Sequence, residues 1–463
     1  MGNSTTETPT AASEATAVPV IAAEPFAALR EERAALPARQ REPAALSALR
    51  TAGWARFAAA GIPHTKQEEW RFTNLAPVGR LRYEAPRPPA AASLAAQIDP
   101  FRLAGTIEIV FVDGRFAPEL SAPTLPAGAR FSSLAALGES DWQRIAPRFG
   151  SLARAERHPF VALSDALFED GALLEIERGA VVEEPIHLLF FAASGGREGS
   201  APASFPRTLI LAGENSQAKV VESFAGIADA AYFTAPVTEL HAGPNAVVEH
   251  SKFQRESREA FHLSALALET ERGANVITNS FSLGGAIVRH DIESRLTGEG
   301  SVATMNGLYL VDGRQLCDTH MRVDHVAPHC DSHELYKGIL DGKSRAVFNG
   351  RIHVHKGAQK TDAKQTNRNL LLSDDALVNT NPQLEIFADD VKCTHGSTVG
   401  QLDEDAVFYL RSRGIGVEAA KSLLTYAFAS DLVERAKVPA LAKELREFLF
   451  HWIPQGDVVR DAV

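Results

Sequence analysis

The sequence predicts a mainly β protein, a parallel β-helix with α-helical modules at both ends, from three observations. A loose repeat runs through the middle, in which Leu211, Leu240, Leu268 and Leu296 recur at almost constant spacing. The runs between the repeat's turns alternate and are rich in Val, Thr, Ile and Phe, with too many glycines for helices. Both flanks switch to a helical period. A single coil as short as one repeat cannot bury its own faces, so such coils must stack around a shared core.

In chain order, residues 1–24 are Thr-, Ala- and Pro-rich and too poor in large apolar groups to offset the entropy of ordering, which predicts a disordered tail. Residues 25–105 are expected to form a helical module and linker. Leu46, Leu49, Trp54 and Phe57 recur at helical spacing before Gly61 and Pro63, and Ala85 to Ala96 looks like an irregular connection. Residues 106–402 carry the β-helix, with Gly213, Gly243, Gly273 and Gly300 as turn glycines. Residues 403–463 turn helical: Asp403 and Glu404 cap a first helix, Gly414 and Gly416 break it, and Pro439 opens a last one carrying Leu441, Leu445, Phe448, Leu449 and Trp452. This module is expected to cap the solenoid and protect its open edge.

A formal charge of −11 and a pI near 5.8 argue against nucleic acid or an anionic membrane as the partner. Cys317, Cys330 and Cys393 are too few and odd in number for a secreted disulfide framework. No Lys or Arg precedes Arg30, and no apolar run approaches the roughly 20 residues that span a bilayer. A cytoplasmic protein is expected.

The most informative chemistry lies in VKCTHGSTVG. On a strand, Cys393 and His395 share one face with Val391, Ser397 and Val399, their Cα atoms roughly 6.5–7 Å apart. A thiolate and an imidazole there suit iron or an iron–sulfur cluster, but two ligands leave the site incomplete, so the others must come from a partner. Spacing alone equally allows a small buried Cys393 and a hydrogen-bonded His395. A second group, Cys317, His320, His325, His329, Cys330 and His333, matches no paired zinc spacing and is expected to divide between the interior and solvent. His353 and His355 should point outward, as surface residues or part of a partner surface. Trp70, among Lys66, Glu68, Glu69 and Arg71, suits a docking anchor. Asp389 and Asp390 suit a solenoid turn. No P-loop, GxGxxG or GxSxG motif is present.

The C-terminal stretch, its upstream SRAVFNGRIHVHKGAQKTDAKQTNRNLLLSDDALVNTNPQLEIFADD and the distant GIPHTKQEEWRFTNL together resemble the SufB/SufD family of iron–sulfur cluster assembly proteins, on its SufD side, over roughly residues 40–453. The resemblance implies a right-handed β-helix and a non-catalytic scaffold rather than an enzyme. It implies a β-helix heterodimer with SufB and binding of the ABC-type ATPase SufC by the C-terminal helices, with Val407 to Trp452 as the candidate surface. It further implies a nascent, transient iron–sulfur cluster at the SufB interface, with His395 facing it and Cys393 beside it. A homodimer of the free chain and a flavin in the assembled complex are compatible with it. The competing reading is the paralogue SufB, expected to carry more cysteines and an acidic neighbour that is absent from THGST. A polysaccharide-acting β-helix enzyme would need convergent carboxylates in place of a Cys–His pair.

Overall fold

The computed structural model describes residues 23–36, 39 and 42–462, so nearly all of the expected tail lies outside the described residues. Ala23 and Glu24 already belong to the fold: Glu24–Phe26 is a short 3-10 turn whose Phe26 stacks on Tyr83 with ring centroids 4.2 Å apart.

The core is a parallel β-solenoid of about seven turns. Its successive strands alternate between a twelve-stranded and a ten-stranded face. Pairing is residue for residue, as where Ile287–Leu296 lies against Leu316–His325 one coil later. Coil length is not constant, since the step from Phe261 to its partner Ile287 is shorter than the step from Arg345 to Leu377. The leucine repeat therefore slips. Leu240 pairs with Leu268, but Leu211 pairs with His241 and Leu296 with Thr270. A slip of one position reverses the face, and it is Ile210, not Leu211, that enters the core.

Six turns that lead into the ten-stranded face share one backbone rule. Asn215, Asn245, Gly273, Gly300, His329 and Lys360 each sit two residues before a strand of the ten-stranded face, and each has φ between 55 and 71°. That left-handed conformation favours Gly and Asn. Gly213 and Gly243, expected to make this turn, precede it by two residues, and Asn215 and Asn245 do so instead, with Asn245 Nδ2 donating to Asn215 Oδ1 at 3.1 Å.

The N-terminal end of the tube is closed. Arg115–Phe116 and Ala129–Ser133 pair antiparallel with the first coil, and Phe111, Phe190 and Phe224 stack through the interior at 4.7 and 5.0 Å. The helical module lies beside this end. Its helix Ala44–Ala60 packs on a helix, Pro159–Leu167, that interrupts the stretch expected to be continuously β. The approach is close enough that a Cβ on Gly53 would meet the Ala162 carbonyl oxygen at 2.7 Å. Arg82–Glu84 adds a strand against Ser200–Pro202, and Ala91–Ile98 is a helix where an irregular connection was expected.

The C-terminal helices Val417–Val433, Pro439–Trp452 and Gly456–Ala462 do not cap the far end. Leu432, Leu441, Leu445 and Leu449 pack on Phe253, Phe281, Leu308 and Ile339, which project outward from the ten-stranded face. The outer side of that face carries a row of apolar side chains, so it needs a lateral cover more than a terminal one. The helices supply it. Consequently the final strands, Leu377–Ile386 and Lys392–Gly400, stay at the ends of their sheets. Glu404–Ser412, capped by the Asp403 carboxylate, buries no residue and leaves Phe408 and Tyr409 exposed. Among the described residues, no helix is long and apolar enough to cross a membrane.

Candidate functional site

Lys392–Gly400 pairs along one edge only, with Asp362–Leu370. In that register Cys393 lies over Ala363, His395 over Gln365, Ser397 over Asn367 and Val399 over Asn369. All four underlying residues are buried and face the inside of the tube. Cys393 and His395 thus continue the inward-facing row by one coil, at a place where no further coil covers them. His395 is exposed, and Cys393 is half-buried against the end of the core. Burial raises the Cys393 thiol, the nearby Asp362 carboxylate adds to this, and the Ala363 backbone contact opposes it. The shift favours the thiol over the thiolate form.

The floor of this opening is polar. Gln365 Nε2 donates to Glu334, Ser332 Oγ donates to the same carboxylate at 3.3 Å, and His325 Nε2 hydrogen-bonds Ser332 at 3.0 Å. Burial pushes the Glu334 carboxyl up to about 7, against the opposing hydrogen bonds of Gln365 and Ser332. Asn369 donates to Asn367 at 2.7 Å, and both amides contact the Tyr309 hydroxyl. Gly350 on the opposite strand makes room, because a Cβ there would collide with the Gln365 amide. Sequence reasoning missed this layer, although the alternation of Gln365, Asn367 and Asn369 marks three polar side chains on the inward row.

The rim is apolar. Leu377, Ile386, Phe387 and Val399 are all exposed around the two terminal strands. Free strand edges beside exposed apolar side chains are the usual means by which one sheet continues into another.

The other expected candidates do not join this site. Cys317 faces inward, its thiol pushed up to about 12 by burial, with Asp318 adding to it. Cys330 is buried against the Gly298 and Pro328 carbonyls, and His325 faces inward with its imidazole pushed down to about 4 by burial. His329 occupies the left-handed turn. His320 lies on the outer face. Burial alone would lower it, but Asp318 and Glu69 outweigh that and raise it to about 9. The group divides between interior, turn and exterior, with no shared centre. His353 and His355 point outward, as expected from Ile352 and Val354 entering the core.

Trp70 is a docking anchor. Its indole is buried against Phe160 and lies under the Arg289 guanidinium, 3.8 Å from the ring centroid. Arg289 in turn donates to Asp318 at 2.7 Å and to the Glu69 carbonyl at 2.9 Å, while Thr73 Oγ1 donates to Asp318 at 2.6 Å. Asp389 and Asp390 sit in the turn before the final strand.

Residues 192–428 match the family described as SUF system FeS cluster assembly, SufBD core domain, and residues 24–188 match the SufBD protein N-terminal region. The chain is 34% identical over 402 residues to the iron–sulfur cluster assembly protein SufD of Escherichia coli K12, covering 86% of this chain and 90% of that protein. It is 33% identical to an iron–sulfur cluster assembly SufBD family protein of Synechocystis, covering 83% of this chain and 86% of the other. A more distant similarity, 25% over 295 residues, is to the protein SufD of Bacillus subtilis, covering 63% of this chain and 66% of that one.

Proposed function

This chain belongs to the SufBD family of SUF-system iron–sulfur cluster assembly proteins, and from that premise we propose that it is a non-catalytic scaffold subunit whose open solenoid end pairs with SufB. The observation that carries this reading is the final strand. It has one free edge, an apolar rim, and Cys393 and His395 on an inward row that ends in solvent. A second solenoid abutting this end would continue the sheets and bury the rim. It would also place its own ligands opposite His395, giving the shared site that two ligands alone cannot make. The nascent cluster is cargo in this scheme, held transiently.

Docking of the ATPase SufC is assigned to Glu404–Ser412 rather than to the full stretch from Val407 to Trp452. Leu432, Leu441, Leu445 and Leu449 are occupied in packing on the solenoid, whereas Phe408 and Tyr409 are exposed. A cytoplasmic location agrees with such partners, and a flavin of the assembled complex is not assigned to this chain.

The test is co-expression with SufB and SufC, followed by subunit composition and iron and sulfide content. His395→Ala should leave the complex intact and lower the cluster yield, and an unchanged yield would remove His395 from the site. Phe408→Asp with Tyr409→Asp should lose SufC and keep SufB. Retention of SufC would place its surface elsewhere.

A further inference from the structure

A second set of metal-ligating groups converges on the outer surface of the twelve-stranded face, beside the last coil. Asp324, His353 and His355 each offer one donor atom, and these atoms lie within 4.8 Å of one another. The fold assembles them from adjacent coils. Asp324 pairs with His353 across the twelve-stranded face, and His353 pairs with Glu385 on the last coil. His355 follows directly after the end of the His353 strand, where its backbone N–H still donates to the His325 carbonyl at 3.0 Å. Strand alternation sends both imidazoles outward while Ile352 and Val354 are buried, so the donors stand on a rigid sheet.

The contacts are specific. The imidazole centroids are 4.4 Å apart, His355 Nε2 is 3.8 Å from Asp324, and His353 Nδ1 is 2.8 Å from the Glu385 carboxylate. Arg322 holds Asp324 through two hydrogen bonds of 3.0 and 2.8 Å, which fixes the carboxylate without using all its acceptor sites. Two imidazoles and one carboxylate are a donor set suited to zinc or ferrous iron, with positions left for water. A carboxylate against a ring nitrogen is how such histidines are commonly oriented.

We propose that Asp324, His353 and His355, with Glu385 positioning His353, bind a divalent first-row transition-metal ion on the outer surface of the solenoid. The site is distinct from Cys393 and His395, which lie on the inward row of the other face, and it does not depend on the scaffold reading.

The experiment is a calorimetric Zn²⁺ titration of the isolated full-length chain, compared with His355→Ala, Glu385→Gln and His395→Ala. The His355 side chain is 45% exposed, so its removal should leave the fold intact, which a thermal melt checks; His353→Gln is measured in parallel as a second ligand variant. Wild type should bind one more equivalent than either ligand variant. Glu385→Gln should keep that equivalent with about tenfold weaker affinity, and His395→Ala should leave it unchanged. Equal binding by wild type and both ligand variants overturns the site, and so does loss of the equivalent in His395→Ala alone, which would move the ion to the open end. No partner subunit is needed, so failure here is separable from failure of the SufB and SufC assignments.

Discussion

The two ends of the solenoid are built from the same strand register and finished in opposite ways. At the N-terminal end the inward row is filled by Phe111, Phe190 and Phe224 and closed by antiparallel strands. At the C-terminal end the row carries Cys393, His395, Ser397 and Val399 over a floor of amides, and nothing described covers it. Aromatic stacking removes the first end from solvent and makes it a source of stability. The second end retains free edges and ligand-type side chains. The proposed function lies at the end where the fold is unfinished.

The largest expected effect breaks the closed end. Phe190→Ala should cost about 3–5 kcal/mol, because it removes a ring stacked on both sides, and should lower the first urea transition. Val399→Ala at the open end should stay within about 0.5 kcal/mol. Equal costs would mean that the open end is packed more tightly than its exposure shows.

A smaller effect concerns the clamp between the helical module and the twelve-stranded face. His320 is raised to about 9 in the folded chain and titrates near 6.5 when unfolded. The folded state therefore binds the extra proton between these values. Its contribution, on the order of 3 kcal/mol, is fully present below pH 6.5 and disappears as pH rises towards 9. Comparing urea midpoints across that window for wild type and His320→Gln should show a drop that the variant lacks. Parallel curves would show that the imidazole is not protonated against Asp318 and Glu69.

The smallest effect sharpens the comparison without altering stability. At pH 8 a thiol reagent such as DTNB should modify one cysteine of the native chain, Cys393, more slowly than a free thiol because burial raises its pKa. Cys317 and Cys330 are buried and should react only on unfolding. Modification of two or more native thiols would contradict the closed interior.

Much of this was legible beforehand because it depends on local periodicity. The β-runs follow from alternation and two of the turns from Gly273 and Gly300 at left-handed positions, and the common face of Cys393 and His395 follows from the period of two. The register did not, since successive coils change length in their turns, so Leu211 faces outward while Leu240 faces in. Nor did the helix Pro159–Leu167, whose place is set by its close packing with Gly53.

By itself, then, the sequence determined the solenoid class, the helical flanks, the family and the two candidate ligands near the C-terminus, all of which are written in neighbouring residues. Only the tertiary structure decided that the C-terminal helices cover the side of the tube instead of its end. It alone brought Gln365 and Glu334 beneath His395, and Asp324 beside His353 and His355. Those arrangements join residues a whole coil apart through the stacking of the solenoid, and their outcome depends on which surface buries the most apolar area rather than on any local pattern.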